Sequence, residues 1–205
     1  MCGIYACIIH PSNSKNKERV KNLREKLKKN HGKLKHRGPD WEGEYEKDNV
    51  YMAHHRLSII DPESGHQPII WDNELALCIN GEIYNHDTMR EKEKQLGCDF
   101  KYKTKSDCEP LMGLYKSIFM DSTDTEEVTE EVIKDRISKI PFIVDGMFAF
   151  VLYDEVRKKC LVARDHMGIC PLYYGYDKEG NIHFSSEMKA FPEDVVPCVF
   201  PACQY

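Results

Sequence analysis

Several patterns that define common classes of protein are missing from this sequence. It has no run of about 18 apolar residues, the length that a membrane-spanning helix requires. Its N-terminus has no basic segment leading into an apolar one, as a secretory signal has, and the apolar residues 4–9 end at His10-Pro11 in the manner of a strand. We therefore expect a soluble, cytoplasmic protein without a membrane partner.

The cysteines follow no disulfide or zinc-ligand pattern. There are nine of them, an odd number, and no two are spaced as Cys-x-x-Cys. The nine histidines are therefore not accompanied by the closely spaced pair of cysteine ligands that structural zinc sites usually contain. We expect reduced thiols, as in the cytosol, and no metal site.

Charge is unevenly distributed along the chain, although the net charge is only −5. Residues 15–35 contain ten Lys or Arg residues, and a basic stretch of this kind can bind nucleic acid. Apolar residues recur within it at helical spacing and no aromatic residue interrupts it; these apolar residues are Val20, Leu23, Leu27 and Leu34. We favour an amphipathic helix with a solvated basic face and expect no nucleic-acid partner.

What the chain does contain is enough for one sizeable domain: 205 residues, of which 41 % are hydrophobic. Hydrophobic periodicity predicts helices over residues 16–30, 86–96, 108–119 and 125–138, the last ended by Pro141, and a loop over residues 36–40. Strands are predicted over residues 3–10, 49–53, 56–60, 69–71, 75–79, 147–153, 159–163, 172–175 and 182–184. Closely spaced strands pair antiparallel, so we expect an α+β fold in which two sheets stack face to face with helices outside.

The second residue carries the chemistry around which the rest of the chain is organised. If an aminopeptidase removes Met1, Cys2 holds a thiol and a free α-amine. Their reference pKa values, about 8.5 and about 7.7–8.0, allow them to exchange a proton near neutral pH. N-terminal nucleophile enzymes use this arrangement, although a free cysteine is often only a small hydrophobic residue.

Downstream, polar and glycine-containing clusters follow one another at predicted strand ends and in loops, where functional groups concentrate. In order they are His36-Arg37-Gly38-Pro39-Asp40, Arg56-Leu57-Ser58-Ile59-Ile60-Asp61, Gly65-His66-Gln67-Pro68, Asn80-Gly81-Glu82-Ile83-Tyr84-Asn85, Ser106-Asp107-Cys108-Glu109, Asp145-Gly146-Met147-Phe148-Ala149-Phe150, Arg164-Asp165 with Pro171-Leu172-Tyr173-Tyr174-Gly175, and Ser185-Ser186-Glu187-Met188-Lys189-Ala190. With Cys2-Gly3-Ile4, this ordered set closely resembles the glutaminase domain of glutamine-hydrolysing asparagine synthetases, a class II glutamine amidotransferase. The resemblance covers residues 2–190 and leaves residues 191–205 as an exit strand or linker.

The resemblance implies a fold and a reaction. The fold is the four-layer αββα sandwich of two stacked, mainly antiparallel sheets found in N-terminal nucleophile (Ntn) hydrolases. In the reaction, the Cys2 thiolate attacks the side-chain amide of glutamine with its own α-amine as base, and a glutamyl thioester forms and is hydrolysed. The family match assigns the oxyanion donors to the Asn80 side chain and the Gly81 N–H, although Asn-Gly by itself is more typical of a hairpin turn.

Free glutamine also presents an α-carboxylate and an α-ammonium group. Arg56 offers a planar fork for the carboxylate, and Asp107, assisted by Glu82, offers a carboxylate for the ammonium. In the family, backbone carbonyls of the segment holding Leu57 and Ile59 complete the pocket. Structural interpretations of Arg56 and Asp107 are a surface ion pair and a helix cap.

Other matched residues are expected to support the loops rather than to react. We expect them to do so through buried ion pairs and hydrogen bonds. They are Arg37, Asp40, Asp145, Arg164 and Asp165. A catalytic histidine is unnecessary because the α-amine already supplies the base, so we expect structural roles for His54, His55 and His66.

The sequence departs from the family in two ways. His166 and Cys170 replace the proline and the lysine that relatives carry at these positions, which does not affect glutaminase chemistry. The Ser-Gly-Gly-x-Asp-Ser pyrophosphate loop of the synthetase half-reaction is missing, as is any other glycine-rich phosphate loop. The glutaminase domain needs no cofactor, and ATP and magnesium belong to a C-terminal synthetase domain that this chain does not contain.

The expected partners are therefore L-glutamine and that synthetase domain, and a homodimer is compatible with the family. Two other functions stay open. If Met1 is retained, the domain is a catalytically silent glutamine-binding or interaction module. Alternatively, the ammonia is delivered to a different acceptor, such as a sugar phosphate.

Overall fold

A computed structural model describes residues 1–47, 49–119 and 129–202 of the chain. In chain order, the elements are β1 (Gly3–Ile8), α1 (Pro11–Ser14), α2 (Lys17–His31), β2 (Trp41–Lys47), β3 (Val50–Arg56), β4 (Ile69–Trp71), β5 (Leu75–Ile83), α3 (His86–Gln95), α4 (Pro110–Ser117), α5 (Glu130–Ile143), β6 (Gly146–Asp154), β7 (Lys159–Arg164), β8 (Tyr173–Tyr176), β9 (Ile182–Ser185) and β10 (Cys198–Val199). Two 3₁₀ turns, Gly32–Arg37 and Met188–Ala190, follow α2 and β9.

The strands form two sheets in which every recorded pairing is antiparallel. One sheet has six strands in the order β10-β8-β9-β1-β3-β2, and the other has four in the order β4-β5-β6-β7. The strand that begins immediately after Cys2, β1, therefore lies between β9 and β3 in the larger sheet.

Three apolar clusters show how the layers are stacked. Ile4 and Ala6 of β1 point between the sheets and pack with Cys78 and Val151 of the smaller sheet. The alternate residues of the same sheet face α2; they include Tyr5, Cys7, Tyr51 and Ala53, against Val20, Leu27 and Leu34. The other face of the smaller sheet packs on α3, α4 and α5, with members such as Leu77, Phe150, Met89, Leu111 and Ile140. The expected four-layer αββα sandwich is confirmed.

The predicted basic amphipathic helix is present as α2. Asn16 caps it, because its side chain accepts a hydrogen bond from the Arg19 N–H. Val20 and Leu27 are buried, and the basic residues lie mainly on the other face. None of the helices in the described ranges combines the length and the apolar character that crossing a membrane requires.

Several boundaries predicted from the sequence are wrong. Residues 41–47 form the edge strand β2, which we did not predict because four of its seven residues are charged. Residues 50–56 are one continuous strand, and residues 57–60 are not extended into a second one. His36 and Arg37 belong to a 3₁₀ turn rather than to a loop.

The last predicted helix is also longer than expected at its C-terminal end. It starts within the described residues at Glu130 and runs through Pro141 to Ile143; the predicted residues 125–128 lie outside the described part of the chain. Pro141 has no N–H to bond to the Ile137 carbonyl, so the helix loses one hydrogen bond there and still continues for two residues, and the Val144 N–H bonds to the Ile140 carbonyl.

The C-terminal segment packs against the domain as far as the structure describes it. Phe191 and Val195 are buried, and β10 pairs with β8. The Phe200 N–H bonds to the Leu172 carbonyl at 2.9 Å. The division of the chain at residue 190 stays a prediction.

Candidate active site

All eight residues predicted for catalysis or glutamine binding line one cavity. They are Cys2, Arg56, Leu57, Ile59, Asn80, Gly81, Glu82 and Asp107. The cavity lies where the N-terminal end of β1 meets the C-terminal half of β5, so it is built from both sheets. The sequence separated these residues by up to about half the chain, and the fold brings them together; their individual roles stay predictions.

Cys2 is held at the start of β1 by backbone contacts on both sides. The Leu57 N–H donates to the Cys2 Sγ atom at 3.3 Å, and the thiol donates to the Leu57 carbonyl at 3.7 Å. The Arg37 Nε–H donates to the Cys2 carbonyl at 2.8 Å. Burial raises the pKa of the thiol, and the Leu57 N–H, the N-terminal amine, Arg56 and Arg37 counteract part of that rise.

Arg37 is itself fixed by a carboxylate. Its Nη1 atom lies 3.0 Å from Glu187 Oε1, and Glu187 also contacts His36 and Lys189. Burial alone would raise the pKa of Glu187, but hydrogen bonds from Arg37, Lys189 and His36 outweigh it and lower that pKa to about 2. Arg37 was predicted to support the structure rather than to react, and these contacts agree.

The Glu187 contacts predict a pH dependence of stability. A carboxylate whose pKa is lowered on folding stabilises the fold above its unfolded pKa of about 4.3, and this contribution disappears as the pH falls toward about 2. Urea unfolding should show Glu187→Gln to be less stable than the wild type near neutral pH, with the difference shrinking between these two pH values. The exposed Glu193 supplies the control, Glu193→Gln. A difference that stays constant down to the lower pH would contradict this linkage.

Asn80 and Gly81 lie inside a strand and not in a turn. They pair with Ala149 and Phe148 of β6. The Asn80 side chain is fully buried, yet neither its Nδ2 nor its Oδ1 atom has a hydrogen-bond partner among the described residues. Gly81 has a φ of 154°, and a Cβ atom there would lie 2.0 Å from the Met147 carbonyl oxygen, so only glycine fits. A buried amide without a hydrogen-bond partner is rare in folded proteins, and Asn80 lines the cavity in which a bound molecule would supply one.

Two side chains that the sequence did not single out as site residues hold the peptide before Asn80. Gln67 Oε1 accepts a hydrogen bond from the Ile79 N–H at 2.8 Å, and His54 Nε2 donates to the Ile79 carbonyl at 3.0 Å. Burial lowers the pKa of His54 to about 3, so this imidazole is neutral near pH 7. The signal for Gln67 was its place in a matched cluster, but only the register of β4 and β5 reveals what it contacts.

Arg56 is buried and oriented by the loop that follows it. Its Nη2 atom donates to the carbonyls of Ile60 at 2.6 Å and Asp61 at 2.7 Å. The Nη1 atom donates to the Pro62 carbonyl at 3.4 Å. A guanidinium binds a carboxylate in bidentate fashion through Nη1 and Nη2 or through Nε and Nη2. Both modes use Nη2, so Arg56 can form a bidentate pair only if the carboxylate replaces one of the loop carbonyls on Nη2.

Three further residues predicted to contact glutamine, Asp107, Ile59 and Glu82, differ in how deeply they are buried. Asp107 Oδ2 accepts hydrogen bonds from the Ile83 N–H at 2.8 Å and the Cys108 thiol at 3.6 Å, which leaves Oδ1 without a partner in the described part of the chain. Ile59 is 74 % exposed, so its side chain adds little to the cavity and only its backbone fits the predicted role. Glu82 lies half-buried at the cavity wall.

The predicted loop-supporting residues fulfil that role to different extents. The carboxylate of Asp165 accepts hydrogen bonds from the N–H groups of Phe148, Met167, Ile169 and Cys170. Arg164 donates to the carbonyls of Cys170, Gly168 and Phe200. Asp40 accepts from the Ser58 N–H. Asp145 is the exception, because it is exposed and takes part through its backbone only.

Two stacked antiparallel sheets and one cavity bring Cys2 together with Asn80, whose buried amide has no hydrogen-bond partner among the described residues. The sequence model described as "Glutamine amidotransferase domain" matches residues 1–199, and the chain belongs to this family. Among curated proteins it is similar to glutamine-hydrolysing asparagine synthetases. It is 39 % identical over 195 residues to a probable asparagine synthetase of Dictyostelium discoideum, which covers 95 % of this chain and 30 % of that protein.

Other relatives repeat this pattern of coverage. Asparagine synthetase 2 of Arabidopsis thaliana is 42 % identical over 95 % of this chain and 29 % of its own length. Asparagine synthetase B of Escherichia coli (strain K12) is 42 % identical over 77 % of this chain and 25 % of its own length. The chain thus spans about a third or less of these relatives.

A solved structure shows the same fold. The glutamine phosphoribosylpyrophosphate amidotransferase of B. subtilis superposes with a TM-score of 0.63 over 97 % of this chain and 44 % of that one, at 20 % sequence identity. At this identity the likeness speaks for the fold only.

Proposed function

We propose that this chain hydrolyses L-glutamine to glutamate and ammonia in the cytoplasm, with Cys2 as the nucleophile once Met1 has been removed. The observation that carries the proposal is the buried amide of Asn80, which lines the same cavity as Cys2 and has no hydrogen-bond partner within residues 1–47, 49–119 and 129–202. An oxyanion formed next to Cys2 gives this amide the hydrogen bond it lacks.

The reaction proceeds in two halves. In the first, the Cys2 α-amine takes the thiol proton, and the thiolate attacks the carboxamide carbon of glutamine. The C–N bond breaks, the leaving nitrogen takes the proton from the α-ammonium, and ammonia departs. In the second half, the α-amine takes a proton from water as its oxygen attacks the thioester carbon, the C–S bond breaks, and the sulfur takes that proton back from the α-ammonium to restore the thiol; the new carboxyl group gives its proton to solvent and glutamate leaves.

The protein supplies the positions for these steps. Asn80 Nδ2 and the Gly81 N–H stabilise the oxyanion in both halves. Arg56 binds the α-carboxylate, and Asp107 binds the α-ammonium with its free Oδ1 atom, assisted by Glu82. Backbone carbonyls at Leu57 and Ile59 close the pocket around the substrate.

The ammonia serves a synthetase domain, in which ATP drives the conversion of aspartate to asparagine. The support for this acceptor is the similarity to glutamine-hydrolysing asparagine synthetases, of whose length this chain spans about a third or less. The glutaminase half-reaction itself uses no cofactor.

The test is a covalent trap. Chain with Met1 removed, verified by intact mass, is treated with a glutamine analogue that carries an electrophilic ketone in place of the carboxamide, and the N-terminal peptide is analysed by mass spectrometry. We expect one adduct on Cys2, prevented by excess glutamine, together with glutamate formation from glutamine. Glutamine binding with neither adduct nor turnover would support the silent binding module instead.

The Arg56 contact can be tested separately from the chemistry. Arg56→Lys keeps the charge but loses the planar fork, so the KM for glutamine should rise about 10- to 100-fold, the equivalent of one hydrogen bond to a charged group. The control is glutaminamide, which has no α-carboxylate; wild type and variant should process it with similar kcat/KM. An equal loss with both substrates would mean that Arg56 acts only by holding its loop.

A further inference from the structure

A second group of potential ligands lies on the outer face of the six-stranded sheet, behind the Cys2 cavity. It consists of His31, Glu42 and His55, one potential ligand atom from each lying within 4.8 Å of the others. His31 is the last residue of α2, while Glu42 and His55 are direct register partners on β2 and β3. Both imidazoles are 1 % exposed, and the Glu42 side chain is 48 % exposed.

The distances suit a small metal ion. His31 Nδ1 and His55 Nε2 are 3.0 Å apart. The Glu42 carboxylate lies 3.9 Å from His31 Nδ1 and 4.0 Å from His55 Nδ1. Ligand atoms about 2.0–2.2 Å from a tetrahedral zinc ion are roughly 3.3–3.5 Å from each other. The short distance to His31 involves His55 Nε2 and the distance to Glu42 involves His55 Nδ1, so reaching that spacing requires the His55 ring to present one nitrogen to both groups, with smaller movements of the other two side chains.

Two further contacts point to a ligand at this place. His31 Nε2 lies 3.3 Å from Glu44 Oε1, the kind of outer contact that orients a metal-binding imidazole, and an ion would replace the hydrogen bond that His31 Nδ1 shares with His55 Nε2 at 3.0 Å. His55 Nδ1 is buried without a hydrogen-bond partner in the described ranges. Lys28 does not oppose a cation strongly, since its ammonium is paired with Glu44 and Glu46 at 3.0 Å each.

We propose that His31, Glu42 and His55 bind one divalent transition-metal ion of the zinc type, with solvent as a further ligand on the open side of Glu42. Two imidazoles and one carboxylate favour zinc or cobalt over magnesium or calcium, which prefer oxygen ligands only. The ion ties the end of α2 to the edge of the sheet. His55 pairs with Gly3 and precedes Arg56, so this tie lies directly behind the nucleophile and the substrate grip.

This site was not predicted from the sequence, which led us to expect no metal. Glu42 is 11 positions after His31, and His55 is 13 positions after Glu42. The three residues lie on separate elements, so they form no short sequence motif. The antiparallel register of β2 and β3 places Glu42 opposite His55, and the packing of α2 adds His31.

Titration with Co²⁺ tests the proposal on the chain without a histidine tag. We expect one equivalent to bind with a visible d–d spectrum of nitrogen and oxygen ligands, without the near-ultraviolet charge-transfer band of a thiolate. Glu42→Gln should lose this stoichiometric binding, and its exposed side chain makes the substitution safe for the fold. Glu46→Gln is the matched control, because Glu46 lies on the same face of the same strand, and it should bind as the wild type does.

A second variant tests whether Glu44 supports the site without binding the metal itself. Glu44→Gln keeps all three ligands but weakens the contact to His31, so the affinity should fall about 10- to 100-fold with an unchanged spectrum. Zn²⁺ should displace Co²⁺ and raise the Tm of the wild type but not that of Glu42→Gln. Equal affinity in Glu42→Gln, a thiolate band, or absence of binding to the wild type would each overturn the proposal.

Discussion

Cys2→Ala is expected to lower glutamate formation from glutamine by at least about 10⁴-fold, which is the scale on which loss of a nucleophile acts. The substitution removes the thiol and leaves the α-amine, the oxyanion donors and both substrate grips in place. Glutamine binding, followed by calorimetry, should therefore remain within a few fold of the wild type. Cys2 also loses only long contacts to Leu57, so the Tm should change little.

The control for this experiment is an exposed cysteine. Cys198 lies on β10, away from the residues that line the cavity, and Cys198→Ser should retain full activity. The wild type is prepared in two forms, with and without Met1. Because the peptide bond to Met1 removes the basic amine, the uncleaved form should be as inactive as Cys2→Ala. Equal glutamate release by all of these proteins would remove Cys2 from the mechanism.

Asn80→Ala is expected to lower activity without lowering stability. Loss of an oxyanion donor lowers kcat by about 10²–10³-fold, or about 2.7–4 kcal/mol, with little change in KM, because the contact forms only as charge develops on the substrate oxygen. The wild-type amide has no hydrogen-bond partner among the described residues, so its removal breaks no hydrogen bond within that part of the chain. The Tm should therefore not fall.

A second buried asparagine provides the matched comparison. Asn181 is also fully buried, but its Oδ1 accepts hydrogen bonds from the His10 N–H and Asn13 Nδ2, and its Nδ2 donates to Asp177. Asn181→Ala should lower the free energy of unfolding by about 1–3 kcal/mol and leave kcat unchanged. If Asn80→Ala destabilised the protein as much as Asn181→Ala does, Asn80 would be a structural residue in a polar network and not a waiting donor.

The order of motifs along the chain was sufficient to predict the fold and the membership of the cavity. Runs of apolar residues predicted β1, β5, β6 and β7 with errors of a few residues, because each of these strands contains consecutive buried residues. The edge strand β2 has a weaker signal, since only Tyr45 of its seven residues is buried. Pro141 was misjudged because its position in the last turn of α5 depends on where that helix ends.

Contacts within the site could not be predicted in the same way. Asn-Gly is most familiar as a turn, and only the pairing with β6 shows that it continues a strand. The clamp on Ile79 by Gln67 and His54, and the saturation of the Arg56 Nη2 atom by loop carbonyls, depend on contacts between segments far apart in the sequence or on the exact path of a loop. A residue list can indicate which groups meet, but not which of their hydrogen bonds are already taken.

The predicted site residues lie partly at the ends of strands and partly in a loop, and this difference affects how the site responds to a substrate. Cys2 directly precedes β1, and Asn80 and Gly81 lie in the half of β5 that is paired with β6 on one side, where Gln67 and His54 hold the neighbouring Ile79 peptide. The carboxylate grip depends on residues 57–66, a loop held by Arg56, Asp61 and Asp40. One part of the site is therefore held by strand pairing together with side-chain contacts, and the other by single hydrogen bonds within a loop, so we expect the loop to have the lower local stability.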